Sequence, residues 1–187
     1  MIDNWATPEE VEKLLLCMSV LDSLTLPKEE AWLRLTRFEQ LADVRKYTID
    51  NGSGDHLAFL FSETCALIKG FDHENDLNQF AAQEWDVSFF ENLYSGAPAD
   101  LFALLDEEER DEATFCLWTL PHIQGWFQNA VPTNDGGRDY LLGYVQHSPE
   151  SWQDWAQHYY EHIPATETIQ AVYSQSADQL THMLENL

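Results

Sequence analysis

The chain has 187 residues, of which nine are Lys or Arg and 33 are Asp or Glu, so its formal net charge is −24 at pH 7. Hydrophobic residues make up 44% of it, which excludes an intrinsically disordered chain and, at this length, predicts one globular domain over residues 1–187. The scarcity of Lys and Arg excludes nucleic-acid binding, which needs clustered cations, and disfavours attachment to an anionic membrane surface.

The negative charge is concentrated in the carboxyl-terminal part of the chain. Residues 1–69 contain seven basic and 12 acidic side chains, whereas residues 70–187 contain 21 acidic side chains and only two basic ones, Arg110 and Arg138. Because repulsion among so many carboxylates destabilises a compact state, the asymmetry predicts an acidic surface that binds a basic protein. A role in solubility alone is the alternative interpretation.

The three cysteines, Cys17, Cys65 and Cys116, lie far apart in apolar runs. This spacing predicts buried free thiols and no disulfide framework, as is usual in a reducing cytoplasm. The amino terminus has no apolar secretory segment, and no apolar run approaches the roughly 18 residues that span a bilayer. We therefore expect a soluble, cytoplasmic protein.

Two helices are predicted near the amino terminus. The segment Thr7-Pro8-Glu9-Glu10 is typical of a capped helix start, and apolar residues recur at helical spacing from there to about Ser23. A second helix is expected to begin near Pro27 and to end between residues 36 and 42. Its apolar face would contain Trp32, Leu35 and Phe38.

Short apolar runs separated by turn residues predict a meander of antiparallel strands. The strands are expected at residues 44–49, 57–61 and 65–69, with turns at 51–55 and 62–64 between them. The apolar segment 113–118 predicts another buried strand.

Further helices are predicted on the carboxyl-terminal side, at residues 87–94, 98–105, 149–162 and 177–187. Residues 75–86 are expected to form a loop with a short helix, and residues 169–173 either a helical turn or a strand. The predicted fold class is α+β: a small antiparallel sheet, made of the meander around 44–69 and the strand 113–118, flanked by N- and C-terminal helices.

Polar side chains are concentrated directly after the third strand, in Asp72-His73-Glu74. Gly70, which has no Cβ, is expected to turn the chain sharply just before them. With Asp76 and His56, these residues have the chemistry of a divalent metal site, which would favour a metal-dependent enzyme or metal-binding protein. However, they show no recognised ligand spacing. The alternative is that their carboxylates bind nearby backbone or basic groups and fix the chain where it leaves the sheet.

The second acidic concentration is the run formed by Asp106, Glu107, Glu108, Glu109, Asp111 and Glu112. A charge run of this kind is usually a solvated helix end followed by a loop. Alternatively, clustered carboxylates beside an apolar strand recognise a basic partner and accelerate its association.

No complete catalytic signature is present in the sequence. It has no Gly-x-Ser-x-Gly elbow and no Walker or dinucleotide-binding glycine pattern. Cys116 lies in an apolar strand, where a reactive thiolate is disfavoured. We therefore predict a protein that is not an enzyme and has no cofactor.

Five segments together resemble a group of small uncharacterised bacterial proteins that have a GFDHES-type segment. They are Gly70–Glu74, Ala113–Trp118, Asp135–Gly137 with Leu141–Leu142, Trp155–Ala156 and Tyr159–Tyr160, and the resemblance covers roughly residues 50–187. Asn75 replaces the usual Ser of that family, and the family implies no established activity.

More loosely, the small, acidic profile is similar to that of immunity proteins that neutralise secreted bacterial toxins. We therefore predict a cytoplasmic immunity-type protein that blocks a basic toxin domain, plausibly a nuclease, because a nuclease site must be positive to hold phosphates. The run 106–112 is the expected primary contact, and Asp72 and Glu74 the secondary one. A regulatory or scaffold protein unrelated to any toxin is a further alternative.

Overall fold

The structure, a computed structural model, describes residues 5–122, 125–130 and 134–187. The α-helices in these ranges are α1 (Pro8–Thr25), α2 (Val87–Leu93), α3 (Ala99–Phe102), α4 (Glu107–Asp111), α5 (Arg138–Leu142), α6 (Pro149–Tyr159), α7 (Thr166–Tyr173) and α8 (Ala177–Glu185). The strands are β1 (Thr36–Leu41), β2 (Val44–Asp50), β3 (His56–Phe61), β4 (Ala66–Phe71) and β5 (Phe115–Trp118). A 3-10 helix, Lys28–Leu33, lies between α1 and β1.

The five strands form one sheet in the order β1-β2-β3-β4-β5, and every neighbouring pair is antiparallel. The sheet and its flanking helices confirm the α+β class, the meander and the added strand from the 113–118 segment. The capped start of α1 is also confirmed, since Thr7 and Glu10 form a reciprocal capping box. The segment 169–173 belongs to a helix, α7, and not to a strand.

The predicted second helix begins near Pro27 as expected, as the 3-10 helix Lys28–Leu33, but its continuation to residues 36–42 is wrong, because Thr36–Leu41 is the edge strand β1. Strand β1 pairs along its whole length with β2, from Thr36 opposite Ile49 to Leu41 opposite Val44. The ladder satisfies backbone groups that a helix would otherwise pair internally, so tertiary pairing outweighs the local helical pattern. Trp32, which was expected to face inward, is 72% exposed. Residues 75–86, all of them described, form turns without the expected short helix.

Alternation along the strands gives the sheet two differently covered faces. The first face carries large apolar side chains, such as Tyr47, Phe59 and Ile68, and packs against α1 and the C-terminal helices. The second face carries Leu60, Leu67 and other apolar side chains that pack against α2 and α3. Cys17 and Cys116 are buried, Cys65 is half-buried, and all three thiols are free, as predicted.

The expected turn at Gly70 is also wrong, because Gly70 lies inside β4. A Cβ at this position would overlap the ring of Phe115 on the neighbouring strand β5. The glycine therefore serves close packing between strands, and the chain leaves the sheet only after Phe71.

Candidate functional site

Three basic side chains lie on the second face of the sheet, among apolar ones. The pleat places Lys46 of β2, His56 of β3 and Lys69 of β4 on this face, because they alternate along their strands with the side chains that pack on the first face. The Lys69 side chain is completely buried. Such a group requires nearby polar or acidic partners, since an isolated buried charge is costly.

Helix α4 brings the predicted acidic run to these basic side chains. The Asp106 carboxylate caps the helix by accepting a hydrogen bond from Glu109 N–H (2.9 Å), and the Glu109 carboxylate accepts one from Asp106 N–H (3.1 Å). The same Glu109 carboxylate forms an ion pair with Lys46. Oε2 of Glu112 lies 3.3 Å from Nε2 of His56. The ion pair of Glu109 with Lys46 therefore fastens the run to the sheet.

Burial determines the protonation of the groups below α4. Nζ of Lys69 donates a hydrogen bond of 2.7 Å to Nε2 of His56. Burial, assisted by the Lys69 charge, lowers the pKa of His56 to about 4, so its imidazole is neutral at pH 7 and its contact with Glu112 is not an ion pair. Burial also lowers the pKa of Lys69 to about 8, although Glu109 and Glu112 oppose the shift.

The acidic run is thus divided between inward and outward roles. Glu109 and Glu112 face the basic cluster of the sheet, Asp106 caps the helix, and Asp111 is half-buried. Glu107 and Glu108 are exposed and are therefore the carboxylates of this run that a partner reaches first. Sequence analysis treated the six residues as equivalent, because the partners of Glu109 and Glu112 are distant in sequence.

Asp72 and His73 fix the chain where it leaves β4. The carboxylate of Asp72 accepts hydrogen bonds from Glu74 N–H (3.2 Å) and from the Asn75 amide (3.3 Å). Nδ1 of His73 donates to Oδ1 of the buried Asp55 at 2.7 Å. These contacts agree with the structural alternative for the segment, except that the side chain of Glu74 is 86% exposed.

The metal-site hypothesis for this segment finds no geometric basis. His56 belongs to the Lys69 cluster, and Nδ1 of His73 is occupied by Asp55. In residues 5–122, 125–130 and 134–187, no three His, Cys, Asp or Glu side chains are grouped as metal ligands.

Two of the segments that carry the family resemblance meet Gly70–Glu74 at one junction. The hydroxyl of Thr114 accepts a hydrogen bond from Asp72 N–H (3.1 Å) and donates to the carbonyl of Gly136 (2.7 Å). Gly137 lies so close to Asp72 that a Cβ there would overlap its carboxylate. Because Gly137 has no Cβ, its backbone can lie directly against the Asp72 side chain.

An exposed aromatic surface lies beside this junction, and sequence analysis did not identify it. The ring of Trp85 contacts the ring of Phe80 on one side and that of Phe90 on the other, with centroid distances of 5.3 and 5.1 Å. Phe80 is 58% and Trp85 43% exposed, and neighbouring Val87 is 60% exposed. We call these four residues the aromatic surface. Large apolar side chains exposed together mark a binding surface more often than chance.

Aromatic contacts connect this surface to the acidic run. The ring of Phe80 meets that of Phe71 (6.3 Å between centroids), which in turn meets the His56 ring (5.3 Å), and His56 contacts Glu112. The two predicted acidic segments and the aromatic surface therefore adjoin one another along the second face of the sheet.

In the described part of the chain, no helix has the length and apolar character needed to cross a bilayer. Comparisons with known protein families, with curated proteins and with solved structures give no significant match to this chain.

Proposed function

We propose that this chain is a cytoplasmic immunity-type protein that binds a basic protein, such as a nuclease toxin domain, and blocks it. The observation that carries the proposal is the exposed aromatic surface, which contacts through Phe71 and His56 connect to the acidic segments Asp72–Glu74 and Asp106–Glu112. An apolar centre with an acidic border is the arrangement that complements a basic surface.

The charge around the aromatic surface has one sign. No Lys or Arg occurs from Gly70 to Glu109, and Glu84, Asp86 and Glu91 lie within or beside the aromatic segment. All three carboxylates are exposed. A partner with Lys or Arg around an apolar patch would therefore meet attraction along the whole border of the contact.

The aromatic and acidic side chains make different contributions to binding. Buried aromatic anchors supply most of the affinity of an interface, whereas charges at its border mainly accelerate association and select the partner. Trp85 and Phe80 are the proposed anchors. Glu107 and Glu108 are the proposed steering groups, because their side chains are exposed on a helix that the Lys46–Glu109 ion pair holds in place.

The direct test uses the purified basic proteins encoded next to this gene as ligands in a binding assay. We expect one of them to bind stoichiometrically and to lose its toxic activity in the complex. Trp85→Ala should weaken that complex at least about tenfold, the usual effect of removing an anchor. A bound partner without toxic activity would replace the immunity role with a regulatory one. Binding unaffected by Trp85→Ala and by charge reversal at Glu107 and Glu108 would refute the proposed interface.

A further inference from the structure

A second surface feature, a cleft at the β1 edge of the sheet, is lined by basic side chains. The cleft has a volume of 320 Å³ and lies between α1, the 3-10 helix, β1 and α8. Three basic side chains line it, Lys28, Arg34 and Arg37. They are three of only nine basic residues in the chain. Ligand pockets begin at about this volume.

The cleft also contains polar groups that lack partners. Ser19 lines it and is 2% exposed, and its hydroxyl oxygen makes no hydrogen bond. Nε of Arg34 is likewise buried and unpaired. The hydroxyl of Thr36, which is 1% exposed, lies against the Asp22 carboxyl. Oδ1 of Asp22, which lies beneath the cleft, is unpaired as well. Unpaired buried polar groups are rare, because each costs free energy.

The unpaired groups that line the cleft, the Ser19 hydroxyl and the Arg34 Nε–H, can donate a hydrogen bond, whereas Oδ1 of the ionised Asp22 is an acceptor. The guanidinium is held in place, since its other nitrogens donate to Ser23 Oγ (3.0 Å) and to the carbonyl of Leu26 (2.7 Å). Fixed donors beside positive charges are the chemistry that binds an oxyanion.

The acidic groups near the cleft weaken this positive character only in part. Asp22 lies beneath it and accepts a hydrogen bond of 2.8 Å from Thr36 N–H. Burial raises the pKa of Asp22 to about 7, so the carboxyl is not fully charged at neutral pH. Asp50 forms an exposed ion pair with Arg37 at 3.1 Å. Lys28 is exposed and has no ion-pair partner among the described residues.

The remaining wall of the cleft is apolar. Phe38 of β1 and the side chains of Leu184 and Leu187 line it opposite the cations. We propose that the cleft binds a small amphiphilic oxyanion, a carboxylate or phosphate ester whose head meets the basic side chains and donors and whose apolar chain contacts this wall. The site is separate from the aromatic surface and does not depend on the proposed immunity role.

The experiment measures binding of hexanoate and hexyl phosphate by calorimetry and by amide NMR shifts, with 1-hexanol and inorganic phosphate as controls. We expect each amphiphilic anion to bind at least about tenfold more tightly than either control, because head and chain both contribute. The tighter of the two anions identifies the head group. The amides of Ser19 and Thr36 should shift on binding. Equal binding of 1-hexanol, or no binding of either anion, would overturn the proposal.

Two variants locate the site. Lys28→Glu should lower the affinity for the tighter anion about tenfold, whereas Lys13→Glu, which changes the net charge equally but lies outside the cleft, should not. Ser19→Ala removes a hydroxyl without a partner, so the free protein should melt at the same or a higher temperature while the anion binds more weakly. Equal effects of the two lysine variants would show that the anion binds elsewhere.

Discussion

Nζ of Lys69 lies 2.7 Å from Nε2 of His56, and both groups are covered by the acidic helix α4. The most acidic segment of the chain therefore compensates a buried basic cluster within the same molecule. Only part of its charge is directed outward to a partner.

Replacement of Lys69 tests how much its buried charge costs. The pKa of Lys69 is lowered to about 8 in the folded protein, mainly by burial, from an ordinary value of 10.5. Between these values the unfolded chain binds more protons, so the contribution of Lys69 to the free energy of unfolding rises with pH. In urea unfolding, we expect the free energy of unfolding of the wild type to rise by roughly 3 kcal/mol relative to that of Lys69→Met between pH 8 and 10.5.

The comparison with Lys69→Met cancels other groups that titrate in the same range. Burial raises the pKa of the Cys17 thiol to about 11 and also raises that of Tyr47, and both lower stability as the pH rises. Since both variants retain these groups, a pH-independent difference would mean that the pKa of Lys69 is the same in the folded and the unfolded state.

The ion pair between Lys46 and Glu109 should stabilise the attachment of α4. Glu109→Gln removes the charge but keeps an oxygen that can accept from Asp106 N–H, so the capping box is preserved. Because the Lys46 side chain is only 13% exposed, we expect a loss of about 1–2 kcal/mol, between the values for surface and buried pairs.

The matched control for this ion pair is Glu108→Gln. The side chain of Glu108 is exposed on the same helix, so urea unfolding should change by less than about 0.5 kcal/mol. Equal losses in the two variants would contradict the division of the acidic run into inward and outward carboxylates.

The contact between Asp55 and His73 predicts a perturbed histidine titration. The hydrogen bond that His73 donates to the Asp55 carboxylate raises the pKa of His73 above its ordinary 6.5. Burial alone would raise the pKa of Asp55, but bonds from the His73 side chain and backbone outweigh burial and lower it. In Asp55→Asn, an NMR titration should find the His73 pKa shifted down, with the other imidazoles as internal controls.

The sign of the stability effect follows from the raised pKa of His73. Its stabilising contribution is fully present below pH 6.5 and is lost as the pH rises through the folded-state pKa. Asp55→Asn should remove this dependence. An unchanged His73 titration in the variant would show that the 2.7 Å contact does not persist in solution.

The proposed interface predicts separate kinetic effects for its charged and aromatic residues. Glu107→Lys with Glu108→Lys should slow association with the basic partner and reduce its dependence on salt, because screening weakens steering. Trp85→Ala should mainly accelerate dissociation. The control pair, Glu161→Lys with Glu167→Lys, changes the net charge equally at other exposed positions. Equal association rates for the two charge pairs would contradict steering by α4.

Local signals predicted much of this fold, whereas long-range contacts determined what was missed. The capping box of Thr7 and Glu10 is formed by residues three apart, so it is visible in sequence. Strand β1 was mistaken for a helix because only its partner β2 makes it a strand. Glu109 meets Lys46, 63 residues away, and no local pattern indicates that pairing. The exposure of Trp85 likewise depends on what the folded chain leaves uncovered.

Gly70 offers the sharpest test of packing within the sheet. Gly70→Ala should destabilise the protein by about 2–4 kcal/mol, because the new Cβ would overlap the fully buried ring of Phe115. Phe115→Leu alone should also destabilise, by leaving a cavity. The double variant should lose clearly less free energy of unfolding than the sum of the two single losses, since the leucine at position 115 makes room for the Cβ at position 70.

The control for Gly70 is Gly52→Ala, where no atom lies near the new Cβ but φ is +71°. Only backbone strain applies there, so we expect a loss of about 1 kcal/mol that Phe115→Leu does not alter. Urea unfolding of the single and double variants measures the coupling. Strict additivity of Gly70→Ala and Phe115→Leu would show that the glycine does not serve contact with Phe115.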